Sequence, residues 1–196
     1  ETHTIFSHKS FEEVFEAART HSADLVVMGW GENSHGSPGR VESALDDILM
    51  DLPCDFLVLK DRGFDPEHIL VPTAGGPDSD LSAEVAKHLR QEYDSRITLL
   101  HVGADRETAE AFLSDWAESH GLADAELRIE TGDIEDSIAR AARDATLIIA
   151  GASERGLLLR LVRRSPIVDL LDDVECSVLL AEQSHQRGYL KRIFGR

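Results

Sequence analysis

The sequence predicts an α/β fold, a parallel sheet with helices on both faces, and three observations carry that prediction. Short apolar runs alternate along the chain with amphipathic segments of helix length. Several of the runs, Asp24 to Met28 among them, are continuously apolar, the pattern of strands buried on both sides in a parallel sheet. Most of the stretch Ala145 to Leu180 has also occurred once before, as Ala23 to Val58, without a gap. In that alignment Leu25 meets Leu147, Gly29 meets Gly151, Glu32 meets Glu154, Ser43 meets Ser165 and Cys54 meets Cys176. Each copy reads as strand, glycine-containing turn, amphipathic helix and second strand.

From the start, Thr4 to Ser7 is a short strand candidate. Ser10 with Glu13 forms a capping box for a helix that puts Phe11, Val14, Phe15 and Ala18 on one face. The strand Asp24 to Met28, a turn over Gly29 to Gly39, a helix around Val41 to Asp51 and the strand Asp55 to Leu59 complete the first copy. After a link at Asp61 to Gly63, the strand Ile69 to Pro72 runs into the turn Thr73-Ala74-Gly75-Gly76-Pro77. A helix with Leu81, Val85, His88 and Leu89 on one side follows, then the strand Ile97 to Val102. The next helix carries Ala109, Phe112, Leu113, Trp116 and Ala117, and Gly121 ends it. Leu127 to Glu130 is a strand, and Asp133 caps a helix with Ile134, Ile138 and Ala141. The second copy supplies the last two strands.

The chain has 196 residues, enough to bury a proper core, and a formal charge of -17. Four Lys stand against sixteen Arg, and carboxylates are spread over every predicted helix. That balance argues against a nucleic-acid partner. It fits a cytoplasm run at very high salt, where screening removes self-repulsion, or an ordinary acidic protein; stability measured against salt separates the two. Cys54 and Cys176 read as small apolar side chains in a reducing cytoplasm, and the nine His lack metal-ligand spacing. No apolar run approaches the ~20 residues needed to span a bilayer. The chain starts at Glu1, in the middle of a repeat, so a piece of a longer protein is expected. Its end, RGYLKRIFGR, sets cations among Tyr189, Leu190, Ile193 and Phe194; it could dock on a membrane or a partner, or pack on its own domain.

The run ILVPTAGGPDSDLSAEVA, the LLHV that ends the second strand, GDIEDSIARAARDATLIIAG, and the spacing of Gly151, Ser165, Cys176 and Val178 together resemble the universal stress protein family. The resemblance covers Phe64 to Gln183, and residues 3 to 60 match the family's second half again. It implies a five-stranded parallel sheet in the order 3-2-1-4-5, self-association that often runs through the fifth strand, and internal pairing in tandem chains. It divides the chain into residues 1–62, the second half of a first unit; 63–184, a complete second unit; and 185–196, a basic tail. Many members bind ATP or AMP, and some sit at the cytoplasmic end of amino acid permeases or ion transporters. In the 3-2-1-4-5 order two absent strands should separate the Thr4 strand from the Asp24 strand, so the first unit cannot close its own sheet. Either the missing half lies upstream, or the Thr4 to Ala18 segment adds to another sheet edge.

The resemblance also implies a phosphate loop of the pattern G-x-x-G-x-x-x-x-x-x-x-x-x-G-[ST] after the fourth strand, where backbone N–H groups and a helix N-terminus meet an anion. Here Gly151 and Ser165 match, Pro166 suits the first helical position, and Glu154 and Arg164 replace glycines. In the first unit Gly29 and Ser43 remain while Glu32 and Glu42 replace both. A carboxylate about 5 Å from a phosphate charge costs on the order of 3 kcal/mol at an effective dielectric near 20, against about 0.3 to 1 from a helix N-terminus. The first loop is therefore degenerate, while Arg155, Arg160, Arg163 and Arg164 could rescue the second or face acidic helices instead. Ala74 stands where the family's nucleotide binders carry Asp, which leaves backbone at Pro72, Thr73 and Val102 to contact a purine.

Candidate nucleotide-binding residues are thus Pro72, Thr73, Ala74, Gly75, His101, Val102, Gly151, Ala152, Arg155, Arg164, Ser165 and Pro166. No metal site and no catalytic residues are expected, since nothing assembles a nucleophile with a base and an orienting partner. The expected role is a regulatory or interaction module with a degenerate nucleotide pocket on the cytoplasmic side of a membrane transporter. A free-standing ATP or AMP sensor is the alternative, and a nucleotide-using enzyme a distant third.

Overall fold

The computed structural model describes residues 10–29, 53–151 and 174–184. The Thr4 strand, both loop-and-helix stretches that follow Gly29 and Gly151, and the basic tail lie outside them. The described elements are α1 (Ser10–Thr20), β1 (Leu25–Gly29), β2 (Asp55–Lys60), β3 (His68–Pro72), α2 (Pro77–Tyr93), β4 (Arg96–Val102), α3 (Arg106–Ser119), β5 (Glu126–Glu130), α4 (Ile134–Ala142), β6 (Leu147–Gly151) and β7 (Ser177–Glu182). The protein is α/β, its sheet parallel except at one seam.

The strands form a seven-stranded sheet in the order β1-β2-β7-β6-β3-β4-β5. Counted within residues 68–182, the last five are third, second, first, fourth and fifth read from the far edge, all parallel to their neighbours. β1 and β2 are likewise parallel, with Leu25 opposite Asp55 and Gly29 opposite Leu59. β2 and β7 meet antiparallel, Leu57 opposite Ala181 and Leu59 opposite Leu179. Residues 25–60 and 68–182 therefore share one continuous sheet, joined where β2 meets β7.

Two cores sit on the two faces. On one, Phe15 of α1 and Ile138 and Ala141 of α4 pack against Phe56, Val58, Leu70, Leu100, Ile148, Val178 and Leu180. On the other, Leu81, Ala83 and Ala86 of α2 and Leu113 and Trp116 of α3 cover Leu57, Ile69, Val71, Ile97, Leu99, Leu147, Ile149 and Leu179. Burying a side chain of this size contributes roughly 1.5 to 3 kcal/mol, so these two layers are the main source of stability.

Local signals explain the boundaries. Gly76 at φ 89° precedes Pro77 at the start of α2, and Asp94 at φ 56° ends it. Asp105 and Asp133 cap α3 and α4 by accepting from Thr108 N at 2.9 Å and Asp136 N at 3.0 Å. Gly121 at φ 69° turns the chain after α3. At the amino ends of the strands, buried His68 joins Thr98 Oγ1 at 2.8 Å through Nε2, and Thr98 donates on to Glu126 at 3.3 Å.

Three expectations need correction. The run from Asp24 to Met28 is not buried on both sides: Leu25 is 42% and Val27 57% exposed, because among the described residues no helix packs on that face of β1. His88 is exposed rather than core-facing, its Nδ1 bonded to Glu84 O at 2.7 Å, while Leu81 is buried, Val85 and Leu89 pack on the core, and the small residues Ser82, Ala83 and Ala86 complete the buried face of α2. Small side chains let the helix backbone come down close onto the sheet. Ile134 is 55% exposed at the first turn of α4, while Ile138 and Ala141 hold the helix down.

Candidate functional site

The carboxyl ends of β3 and β4 carry the candidates Pro72, Thr73, Ala74, Gly75, His101 and Val102, and the structure brings these together. Thr73 N donates to Leu100 O at 2.8 Å, which extends the β3–β4 ladder past Pro72. Gly75 N donates to Thr73 Oγ1 at 3.1 Å, and with φ at 81° the chain turns sharply away. His101 Nδ1 lies 2.8 Å from Thr73 O. A carbonyl only accepts, so the proton sits on Nδ1 and Nε2 is left as the acceptor of the neutral ring.

Beside this turn is an open cleft of about 340 Å³ lined by Ala74, His101, Gly103, Ala104, Asp105, Thr108, Ala109 and Phe112. The His101 and Phe112 rings stand with centroids 4.6 Å apart at 49°. Phe112 also lies close enough to Gly75 that a Cβ there would meet it at 3.3 Å. Gly103 is equally constrained: a Cβ would lie 3.0 Å from Ala109 and 3.3 Å from His101 Nε2. The hydrogen bond from Thr108 holds the Asp105 carboxyl below the usual carboxylate range, so this rim of the cleft is negative at neutral pH.

Gly151, at the carboxyl end of β6, has a different neighbour. A Cβ on it would fall 2.7 Å from Asp78 C and 2.8 Å from Ser79 N, so the first turn of α2 occupies the space a side chain would take. Asp78 Oδ1 in turn accepts from Gln183 N at 2.8 Å, which ties α2 to the end of β7. Gly29, its counterpart in the first copy, has nothing within 4 Å of such a Cβ among the described residues. Ala152, Arg155, Arg164, Ser165, Pro166 and Ser43 lie outside the described residues.

The lining residues that sequence reading did not assign are Gly103, Ala104, Asp105, Thr108, Ala109 and Phe112. Ala109 and Phe112 were visible only as members of an apolar helix stripe, and Gly103, Ala104, Asp105 and Thr108 carried no signal that singled them out. The two cysteines behave as expected. Burial first, and then the charges of Asp55 and Asp24, push the Cys54 thiol up, and burial does the same for Cys176. Both therefore stay protonated and poorly nucleophilic at neutral pH. Among the described residues no group of His, Cys, Asp and Glu is arranged to hold a metal ion, and no helix is long and apolar enough to cross a membrane.

A parallel sheet with helices on both faces and a cleft at the carboxyl ends of adjacent strands defines the doubly wound α/β class. The sequence profile of the universal stress protein family matches residues 66–182, and the chain belongs to that family. It superposes on a universal stress protein from Archaeoglobus fulgidus DSM 4304 with a TM-score of 0.59 at 19% identity, over 89% of this chain and 66% of that one. A family protein from Pseudomonas aeruginosa UCBPP-PA14 gives 0.57 at 18% identity, over 93% and 72% of the two chains. The present chain thus spans about two thirds of the length of these relatives. A shorter universal stress protein, solved in complex with cAMP, aligns with 60% of this chain and 98% of its own at 17% identity, with a TM-score of 0.49. No curated protein matches the sequence.

Proposed function

We propose that the chain is a regulatory binding module whose complete unit takes the adenosine part of an adenine nucleotide, AMP or ATP, in the cleft beside His101. The observation that carries this reading is the contact of His101 Nδ1 with Thr73 O at 2.8 Å beside the cleft. With Nδ1–H committed to Thr73 O, Nε2 offers an acceptor next to the Phe112 ring and a cleft of about 340 Å³. A purine brings an exocyclic amine donor and flat apolar faces, which suit an imidazole acceptor beside an aromatic ring. The volume is at the small end of the range for ligand pockets, in keeping with a nucleoside rather than a larger cofactor.

The phosphate end is the weak part of the site. Ala74 supplies no carboxylate for the base or ribose, Asp105 adds negative charge at the rim, and Glu154 takes the place of a loop glycine. Each added phosphate meets more repulsion than the helix end offsets. The reading therefore ranks AMP at or above ATP, and it assigns binding rather than catalysis.

Calorimetry of the chain in molar potassium chloride with adenosine, AMP and ATP tests it. The expected result is measurable AMP binding that weakens about fivefold in His101→Ala, the loss of one net hydrogen bond of roughly 1 kcal/mol. No heat with any of the three at millimolar ligand would remove nucleotide sensing and leave a role in protein interaction alone.

A second reading places this module on the cytoplasmic side of a membrane transporter, with self-association between universal stress units. Its support is the sequence RGYLKRIFGR, apolar residues interleaved with cations. Flotation with anionic vesicles, with and without residues 185–196, checks it: equal recovery of the two chains removes the membrane contact.

A further inference from the structure

Outside the cleft, a cluster of titratable side chains joins the two helices that the cleft depends on. Asp80, in the first turn of α2, accepts from Trp116 Nε1 of α3 at 3.1 Å. The same oxygen, Oδ1, lies 3.1 Å from Nε2 of His120, the residue that caps the end of α3. The His120 ring leans on the Trp116 indole, with centroids 4.4 Å apart at 36°. Its other nitrogen, Nδ1, lies 2.8 Å from Trp116 O and 3.0 Å from Ser119 Oγ. The His120 side chain is 22% exposed, so solvent protons reach it.

The chemistry of these partners sets what the ring has to carry. A carboxylate and a carbonyl both only accept, so two ring nitrogens facing them call for two protons, and the imidazolium satisfies both contacts at once. A neutral ring keeps a single proton. With it on Nε2 the Asp80 bond survives without its charge, and Nδ1 then needs the Ser119 hydroxyl, which donates to Trp116 O at 2.8 Å. With it on Nδ1, the Nε2 lone pair faces a carboxylate. Either way the contact between α2 and α3 falls from a charge-assisted bond to a weaker one. Other charged groups on the facing side of α2 are Glu84 and Lys87, one and two turns beyond Asp80, and Arg90. Lys87 Nζ lies 2.9 Å from where a Gly121 Cβ would be, and Arg90 donates to Asp124 Oδ1 at 2.7 Å and Gly121 O at 3.2 Å. On α3 itself Glu118 stands two residues before His120.

Both ends of the contact lead to the cleft. Asp80 N donates to Gly76 O at 2.9 Å, directly after the turn at Gly75. One turn before Trp116, Phe112 lines the cleft and lies 3.3 Å from where a Gly75 Cβ would be. The spacing of the helices at Asp80 and His120 therefore sets how closely Phe112 approaches the turn from Thr73 to Gly76.

We propose that His120 is a proton-operated clasp on the cleft. With two protons its ring ties the end of α3 to the first turn of α2 and holds Phe112 against Gly75; loss of one proton loosens that wall. As a control on ligand binding the clasp rests on the adenosine reading above, while its action on Phe112 does not.

The test is a pH series from about 8 to about 5, the range in which an imidazole changes charge, on the chain carrying Trp30→Phe so that Trp116 is the emitting indole. The expected result is a fall in Trp116 emission on acidification, because an imidazolium in contact with an indole quenches it, and no such step in His120→Gln. The NMR signals of the Phe112 ring and the Gly75 amide should shift with the same midpoint. That component disappears in His120→Gln, and it disappears in Asp80→Asn although the emission step there remains. His101, a second imidazole on the cleft, is present in every variant, so differences between them report His120. Adenosine, which has no phosphate to titrate, should gain about threefold in affinity over His120→Gln on going from pH 8 to pH 5.5, within the worth of one hydrogen bond. An emission step that persists in His120→Gln overturns the clasp, as do Phe112 signals that follow pH identically in all three chains. Both steps present with no adenosine binding at either pH support the clasp and remove the nucleotide reading. Adenosine binding with one pH profile in wild type and His120→Gln overturns the control and leaves that reading intact.

Discussion

β1 and β6 carry nearly the same side chains, LVVMG and LIIAG, and each lies parallel to the closing strand of its own copy. Leu147 and Ile149 are fully buried, while their counterparts Leu25 and Val27 are 42% and 57% exposed. The strand pattern is a request for neighbours on both sides, and among the described residues only β6 has them. An apolar strand alone thus does not determine how much free energy its side chains contribute; the elements packed on it do.

The comparison is sharpest at its centre. Ile149→Ala empties a site with no exposure and should cost about 3 kcal/mol, whereas Val27→Ala should stay within about 0.5 kcal/mol, both read from urea midpoints at constant slope. Comparable losses at the two positions would break the comparison.

A smaller effect separates the two glycines. Gly151→Ala drives a methyl to within 2.7 Å of the Asp78 backbone and should cost about 2 kcal/mol. Gly29→Ala meets nothing within 4 Å, and should be neutral or gain a few tenths of a kcal/mol from a less flexible unfolded chain. Thermal unfolding of the two variants side by side decides this.

The smallest effect distinguishes the edges. Hydrogen bonds from Arg128 and then Arg140 hold the Glu130 carboxyl below its ordinary value. A folded pKa lower than the unfolded one stabilises fully above the unfolded value, near 4, and the contribution is lost as pH falls through the folded value. Amide protection of β5 should therefore weaken on acidification below about pH 4, less so in Arg140→Gln, while β1 shows no matching change once intrinsic exchange is corrected.

Much of the fold was legible because the duplication reads the chain twice. Strand positions, the cap at Asp133 and the turn at Gly121 each rest on local chemistry that a sequence displays. The burial of β1 was misread because continuous apolar character reports what a strand can bury, not what lies beside it. His88 was misread for a related reason: on a helix that approaches the sheet through Ala83 and Ala86, size rather than hydrophobicity sets the buried face. The turn around Thr73 was visible from its glycines. Its partner wall, Phe112 across to Gly103, was not, since which way a half-buried aromatic points depends on a contact between α3 and the end of β4.

The antiparallel seam between β2 and β7 has a directional consequence. β1 runs parallel to β2 and β6 parallel to β7, while β2 and β7 are antiparallel, so Gly29 and Gly151 leave the sheet at opposite poles. Three strand spacings of about 4.8 Å, plus the strands' own length, then separate the two exits. No single small molecule of nucleotide size spans both exits, so a ligand held at one of them leaves the other open.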